Sequence, residues 1–278
     1  MNLVELGQGV FAWTHPSPEF GETNVGLIID ADGLTVIDTT ATPDQGAAVR
    51  NAIESLTAEL ELPLRRVVCS SPRVAFCGGG QAFWQAGFYG SDSTSDALDE
   101  PANADAFRRL LPRFASSYPD DFTTRPITHT VSDPTWLTPA AYGLPLPGEA
   151  PTNLCVLVES AGVVFAGGLA TFGVTPLAFD GDPAQWADSL DDLAQVANTV
   201  IPGHGSPGGA ADIADLVGYL RACVAADGEP GAIPAGPWDA WSDRRFDAVN
   251  TERAARLRRG DARIPTAMFE LLGLSVGG

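Results

Sequence analysis

Short β-branched apolar runs, separated by turn residues, fill the first part of the chain. Residues 24–29 and 34–38 form two such runs on either side of the turn Asp-Ala-Asp-Gly at 30–33, a pattern that predicts a β-hairpin. Thr42 followed by Pro43 predicts the start of a helix, because threonine caps helix N-termini and proline suits the first helical position.

The second half of the chain repeats this order of elements. After the first helix come a buried strand at 66–69 and a glycine-rich loop at 70–80; later a hairpin at 153–166 is followed by a helix at 183–197 and a strand at 199–201. Two such halves predict an α/β fold, an αββα four-layer sandwich in which two sheets pack face to face and supply loops to one shared edge. Between the two halves, 91–101 is polar and predicts a surface excursion, and the proline-rich 119–151 matches no element.

The last part of the chain predicts helices. Residues 211–226, 244–259 and 265–272 have helical patterns around a Gly/Pro-rich bend. We expect a sandwich domain at 1–208 and a C-terminal helical extension at 209–278 that caps it.

Composition and charge narrow the class of protein. The chain has 278 residues, 45% of them hydrophobic, and a formal charge of −19, and all 16 basic residues are arginine. Such a surface repels phosphate backbones and anionic lipids, which argues against nucleic-acid and membrane partners. Four widely spaced cysteines without a Cys-x-x-Cys motif, and an N-terminus without a signal-peptide pattern, favour a cytoplasmic protein.

Five motifs resemble the metallo-β-lactamase superfamily in order and spacing, over roughly residues 8 to 210. They are Gly21 to Ile28, Val36 to Thr39, Val67 to Ser70 with the glycine-rich loop that follows, Val164 to Gly167, and Ile201 to Gly205. The resemblance implies the αββα fold and, in relatives that bind metal, two metal ions held at the shared edge.

Most of the metal ligands that this resemblance implies are replaced. In the family the loop after the third motif carries His-x-His-x-Asp-His; here Ser71, Arg73, Ala75 and Phe76 stand at those four positions. Glu149 stands for a further histidine and Gly168 for the aspartate that bridges the metals. Only the last ligand, His204, matches.

Zinc requires three or four N, S or O ligands in a near-tetrahedral array. Ala75, Phe76 and Gly168 have no donor side chain, and Arg73 is a cation. The sequence therefore predicts a degenerate site with no metal and no other cofactor.

Three residues are candidates for catalysis at this edge. Arg73 could hold a carboxylate or a developing oxyanion, or form a structural salt bridge to Glu149 or Asp38. His204 could be a general acid or base with its pKa tuned by Glu149, or a histidine that only braces its loop. Glu149, the third candidate, could form a dyad with His204 or be a carboxylate at the rim in contact with water.

Five further residues are candidates for substrate binding. Each also has a purely structural explanation, such as loop capping for a serine or core packing for a cysteine. The alternative role for the cysteine is that of a nucleophile. They are His15, Ser71, Phe76, Cys77 and Trp136.

Three functions follow as hypotheses. The first is a metal-independent enzyme that performs acid/base chemistry, such as cyclisation, elimination or hydrolysis, on a small organic substrate; a setting in bacterial specialised metabolism is an analogy. The second is a catalytically inactive protein that binds a small ligand or a partner protein. The third is a hydrolase with one weakly held metal on Glu149 and His204.

Overall fold

The computed structural model describes residues 1–15, 18–196 and 198–274. Within them, twelve strands form two sheets. The first sheet has the spatial order β1 (Asn2–Gly7), β2 (Val10–Thr14), β3 (Val25–Asp30), β4 (Gly33–Ile37), β5 (Leu64–Val68), β6 (Gly87–Gly90) and β7 (His129–Thr130). The second has the order β12 (Thr199–His204), β11 (Val163–Thr171), β10 (Asn153–Val158), β9 (Tyr142–Leu146) and β8 (Thr135–Trp136).

Helices cover the outer faces of these sheets. The α-helices in the described residues are α1 (Pro43–Leu56), α2 (Val74–Cys77), α3 (Asp92–Asp99), α4 (Ala104–Leu110), α5 (Pro183–Leu193), α6 (Ala210–Ala225), α7 (Asp247–Arg258) and α8 (Thr266–Leu271). None of them is long and apolar enough to span a bilayer.

Three apolar clusters define the layers. Ile28 and Ile37 of the first sheet meet Val156 and Phe165 of the second in a core between the sheets. A second cluster joins the outer face of the first sheet to α1, and a third joins the second sheet to α5 and α6. The αββα sandwich predicted from the repeated pattern is therefore confirmed, and helices continue to the C-terminal part of the chain.

Parallel pairing in both sheets brings the loops to one edge. β4 pairs parallel with β5, and β11 pairs parallel with β12, so the C-terminal ends of these four strands lie together. Since neighbouring parallel strands run in the same direction, the loops that follow them emerge at the same edge of the sheet. This geometry positions the candidate site.

Most predicted elements match in place. The first hairpin is β3–β4, and Thr42 caps α1 by accepting a hydrogen bond from the Gln45 backbone N–H at 3.2 Å. The second hairpin is β10–β11, with Gly162 in the left-handed region at φ 62°. Helix α5 ends at Leu193, and residue 197, where we predicted its end, lies outside the described residues.

The predictions for the middle of the chain were incomplete. Residues 91–101 were predicted as a surface excursion without an element, and α3 forms there because the Ser91 side chain accepts a hydrogen bond from the Thr94 N–H and so caps a helix of polar residues. Within 119–151, where no element was predicted, three short strands, β7 to β9, extend the sheets. The division of the chain at residue 208 stays a prediction, since α6 contributes Leu216 and Leu220 to the same apolar cluster as α5.

Candidate functional site

The candidate site lies where the loops after β4, β5, β11 and β12 meet. Asp38 follows β4, Ser70 and Ser71 follow β5, Gly168 lies in β11, and His204 ends β12. The loop before β10 adds Glu149 to the same place. β4 and β11 are buried throughout and β5 and β12 at their C-terminal ends, so these side chains are held in the protein interior.

Asp38 braces the loop after β5. Its carboxylate accepts hydrogen bonds from the Ser70 backbone N–H and from the Ser70 hydroxyl, both at 2.8 Å, and the Gly168 N–H donates to that hydroxyl at 3.0 Å. Burial raises the pKa of Asp38 to about 7, against the lowering effect of the two bonds from Ser70. Asp38 and Ser70 therefore connect the loops of both sheets through direct hydrogen bonds.

Ser71 and Glu149 form a second buried pair. The Ser71 hydroxyl donates to the Glu149 carboxylate, and only 4% of Glu149 is exposed. Burial raises the pKa of Glu149 to about 7, while Arg73 and the bond from Ser71 oppose that rise. A carboxyl group of this kind can gain or lose a proton near neutral pH.

Arg73 is held by a carboxylate that the sequence did not single out. Its guanidinium forms an ion pair with Asp180, donates to the backbone carbonyl of Glu149 at 2.7 Å and stacks on the Phe179 ring at 4.0 Å. The salt bridge expected for Arg73 therefore exists, but its partner is Asp180 rather than the Glu149 or Asp38 side chain. Desolvation opposes the charge of Arg73, yet the nearby carboxylates raise its pKa, so the guanidinium is a fixed buried cation.

His204 is enclosed by aromatic rings. Its ring lies between Phe20, at 5.3 Å, and Phe76, at 5.2 Å between centroids. Its Nδ1 is 3.0 Å from the carbonyl oxygen of Glu22, which can only accept, so Nδ1 carries the proton and Nε2 is an acceptor. Among the described residues Nε2 is buried without a hydrogen-bond partner, and burial lowers the pKa of His204.

The predicted pairing of His204 with Glu149 does not form. The His204 ring is held by the Glu22 carbonyl, whereas the Glu149 carboxylate is held by Ser71. Phe76 packs against the His204 ring, and its own ring lies beside Gly203, so the surroundings of His204 are aromatic. The structure thus brings Ser71, Arg73 and Glu149 together and holds His204 in a separate apolar environment.

The other candidate residues are spread around this edge. Cys77 is fully buried in the apolar cluster beneath α1, and its thiol contacts the Pro72 carbonyl at 3.5 Å, as expected for a small core residue. Trp136 is 54% exposed on β8, where its ring packs against Tyr142. His15 lies in the loop after β2 and contacts Glu22.

These residues do not fit a zinc centre. Within residues 1–15, 18–196 and 198–274, no three His, Cys, Asp or Glu side chains are close enough together to hold a metal ion. A β-carbon on Gly168 would lie 2.3 Å from the Glu149 carboxylate and 2.7 Å from the β-carbon of Ser71, so Glu149 and Ser71 fill the space that a side chain at position 168 would need. Arg73 adds a positive charge that repels a second cation.

Sequence reasoning missed the residues that complete these contacts. Asp180 carries no motif and follows β11 by nine residues, and Phe20 lies in the loop before β3. An acidic residue after the second hairpin could have been weighed as a partner for Arg73, but the sequence has 35 acidic residues, and nothing in it distinguishes this one.

Comparison with known structures identifies the fold. No protein-family model matches the chain. The mono-zinc form of the metallo-β-lactamase FIM-1 from Pseudomonas aeruginosa superposes with a TM-score of 0.60 at 20% identity, over 84% of this chain and 96% of that one. Two further structures are similar. A metallo-β-lactamase from Hirschia baltica has a TM-score of 0.58 at 20% identity, over 79% of this chain and 96% of that one. A metallo-β-lactamase from Erythrobacter litoralis, with β-mercaptoethanol in its active site, has a TM-score of 0.58 at 18% identity, over 79% of this chain and 95% of that one. With two face-to-face sheets, outer helices and these structural neighbours, the chain has the metallo-β-lactamase fold.

Proposed function

We propose that this chain is a metal-independent protein that binds a small apolar organic molecule beside Arg73, without performing chemistry on it. The observation that carries this proposal is a cavity of about 130 Å³ next to the candidate site. Its walls are aromatic and aliphatic, and Arg73 is the charged residue among them. The walls include Phe20, Phe107, Leu110, Phe179 and Met268.

The size and lining of the cavity suggest the class of ligand. A cavity of about 150 Å³ lined by Leu, Ile and Phe stays dry and binds benzene. The cavity beside Arg73 is nearly as large, so a single six-membered ring or a short branched chain fits it. Because Asp180 neutralises Arg73, an uncharged ligand is favoured over a carboxylate.

A second candidate function, acid/base catalysis on a small organic substrate, rests on different observations. The unpartnered Nε2 of His204 and the raised pKa of Glu149 are properties that proton-transfer residues have. However, His204 is 3% and Glu149 4% exposed, so a substrate would reach them only if the residues that cover them moved. The ready-made apolar cavity therefore makes binding the better supported function.

The ligand-binding proposal is tested with toluene as the probe. We expect toluene to raise the melting temperature of the wild type and to shift NMR methyl signals of the cavity residues Leu110 and Met268. Ala106, in α4, lines the cavity, and Ala106→Leu should fill it and abolish both effects. Ala47→Leu places the same side chain on an exposed position of α1 and should keep both.

Two results would overturn the proposal: no toluene binding by the wild type, or equal binding by the wild type and Ala106→Leu. Elemental analysis of the purified protein separately tests the hydrolase with one metal, which requires stoichiometric zinc or iron. His204→Phe tests the second candidate function, acid/base catalysis. The variant lacks both ring nitrogens, so any catalytic activity that it retains does not depend on His204.

A further inference from the structure

A groove on the other side of the loop before β3 contains a second set of polar groups. It has a volume of about 370 Å³ and lies between β2, the β4–α1 connection and the first turns of α1. Trp13, His15, Thr40, Gln45 and Val49 line it, and none of them lines the cavity beside Arg73. Its volume falls within the roughly 300–1,000 Å³ range of small-molecule pockets.

His15 is fixed in this groove at two points. Its backbone N–H donates to the Asn24 side-chain oxygen at 3.1 Å, and its Nδ1 lies 3.2 Å from a carboxylate oxygen of Glu22. Glu22 is itself held by Arg113 at 2.9 Å and by the Gln45 amide at 3.5 Å. The imidazole therefore has little rotational freedom, although it is only partly buried, with 15% of its side chain exposed.

The contact with Glu22 favours one position of the ring proton. A lone pair on Nδ1 would face the Glu22 carboxylate oxygen at 3.2 Å and be repelled by it, so the tautomer with the proton on Nδ1 and the lone pair on Nε2 of His15 is favoured. Burial, with the neighbouring cations, lowers the pKa of His15 to about 4, so the ring stays neutral at neutral pH. Among the described residues Nε2 of His15 makes no hydrogen bond.

The other walls of the groove define the rest of a ligand. Trp13, Ala48, Val49 and Ala52 provide an apolar surface on which a flat ring can lie. Glu22 is paired with Arg113 and His15 is uncharged, whereas Met1, whose N-terminal ammonium acts on His15, also lines the groove. No acidic side chain of the described residues lines it.

We propose that this groove binds a planar molecule, of the indole or phenol class, that donates its single N–H or O–H group to Nε2 of His15. This proposal does not depend on the function proposed for the cavity beside Arg73. It assigns to His15 a specificity role that a purely structural histidine would not have, namely recognition of one hydrogen-bond donor on an apolar ring.

Indole and 1-methylindole form a matched pair of probes, because the methyl group removes the donor and preserves the ring. By calorimetric titration we expect indole to bind the wild type at least ~10-fold more tightly than 1-methylindole does. This is the loss of affinity expected when the acceptor Nε2 is left unpaired. His15→Phe keeps an aromatic ring without the acceptor and should remove this difference. His129→Phe, which alters a histidine stacked on Tyr89 instead, should preserve it.

Several outcomes decide the matter. Equal affinity for the two probes, or discrimination that persists in His15→Phe, would overturn the proposal. If His15→Phe does not fold, the ¹⁵N resonance of Nε2 in the wild type serves instead: it should move with indole and not with 1-methylindole, and an unmoved resonance refutes the contact. Binding that disappears in Ala106→Leu would place indole in the other cavity, which refutes this groove and leaves the proposed function intact.

Discussion

The ion pair between Arg73 and Asp180 should stabilise the whole edge of the sandwich, and Asp180→Asn tests this. The substitution keeps the shape of the side chain and removes the charge that balances a guanidinium whose side chain is only 12% exposed. Removing one partner of a fully buried pair costs about 3–5 kcal/mol. Because 33% of Asp180 is exposed, water offsets part of this loss. We therefore expect a decrease of about 2–3 kcal/mol in the free energy of unfolding.

Urea unfolding, followed by tryptophan fluorescence and far-ultraviolet circular dichroism, measures this decrease. Asp120→Asn is the matched control, since Asp120 also pairs with an arginine, Arg108, but is 97% exposed, and it should leave the unfolding midpoint unchanged. Combining Asp180→Asn with Arg73→Met should cost less than the sum of the two single changes, by at least about 1 kcal/mol, if the pair acts as a unit. Asp180→Asn behaving like Asp120→Asn, or strict additivity of the double variant, would refute this account of Arg73.

Three other predictions follow from the same edge and from the surface charge. Burial raises the pKa of Glu149 from 4.5 to about 7, so the folded state binds this proton more tightly than the unfolded chain does. The resulting stability is complete below pH 4.5 and is lost as the pH rises through 7. Glu149→Gln stays neutral and should therefore gain stability relative to the wild type between pH 5 and 7 in urea titrations; parallel pH profiles would contradict this. Gly168→Ala should destabilise the fold by about 1–3 kcal/mol, because its β-carbon would meet Glu149 at 2.3 Å, whereas Gly231→Ala, with nothing within 4 Å, should be neutral by the same measurement. The net charge of −19 should make the melting temperature rise as KCl increases from 0.1 to 1 M, because salt screens self-repulsion; a falling melting temperature would mean that the surface arginine ion pairs dominate instead.

The sequence predicted the sandwich well because its signals are local and repeated. The hairpin at 24–38 and the Thr42 cap depend on neighbouring residues, so patterns of two and four residues suffice to find them. Helix α3 was not predicted because its residues are mostly polar and only Ser91 marks its start. Strand β7 pairs with β6, which is distant in sequence, and β7 and β8 have only two residues each, too few to form a recognisable pattern.

The candidate site could be predicted only in part, for a physical reason. Position in the fold follows from strand order, so the sequence could place Ser71, Glu149 and His204 in loops or strand ends, while their roles stay a prediction. The partner of each group depends on side-chain directions in loops. Arg73 therefore pairs with Asp180 instead of the Glu149 side chain, and His204 contacts the Glu22 carbonyl.

The packing around Gly168 also restricts the order in which this chain could acquire a dinuclear centre. Because Glu149 and Ser71 occupy the volume above that glycine, any larger residue introduced there first would meet a steric penalty before it gained a ligand to coordinate. A route to metal binding would have to shorten or redirect Glu149 before position 168 changed, and each early step would bring no benefit by itself. Steric exclusion at Gly168 therefore makes the first steps toward a metal centre unfavourable.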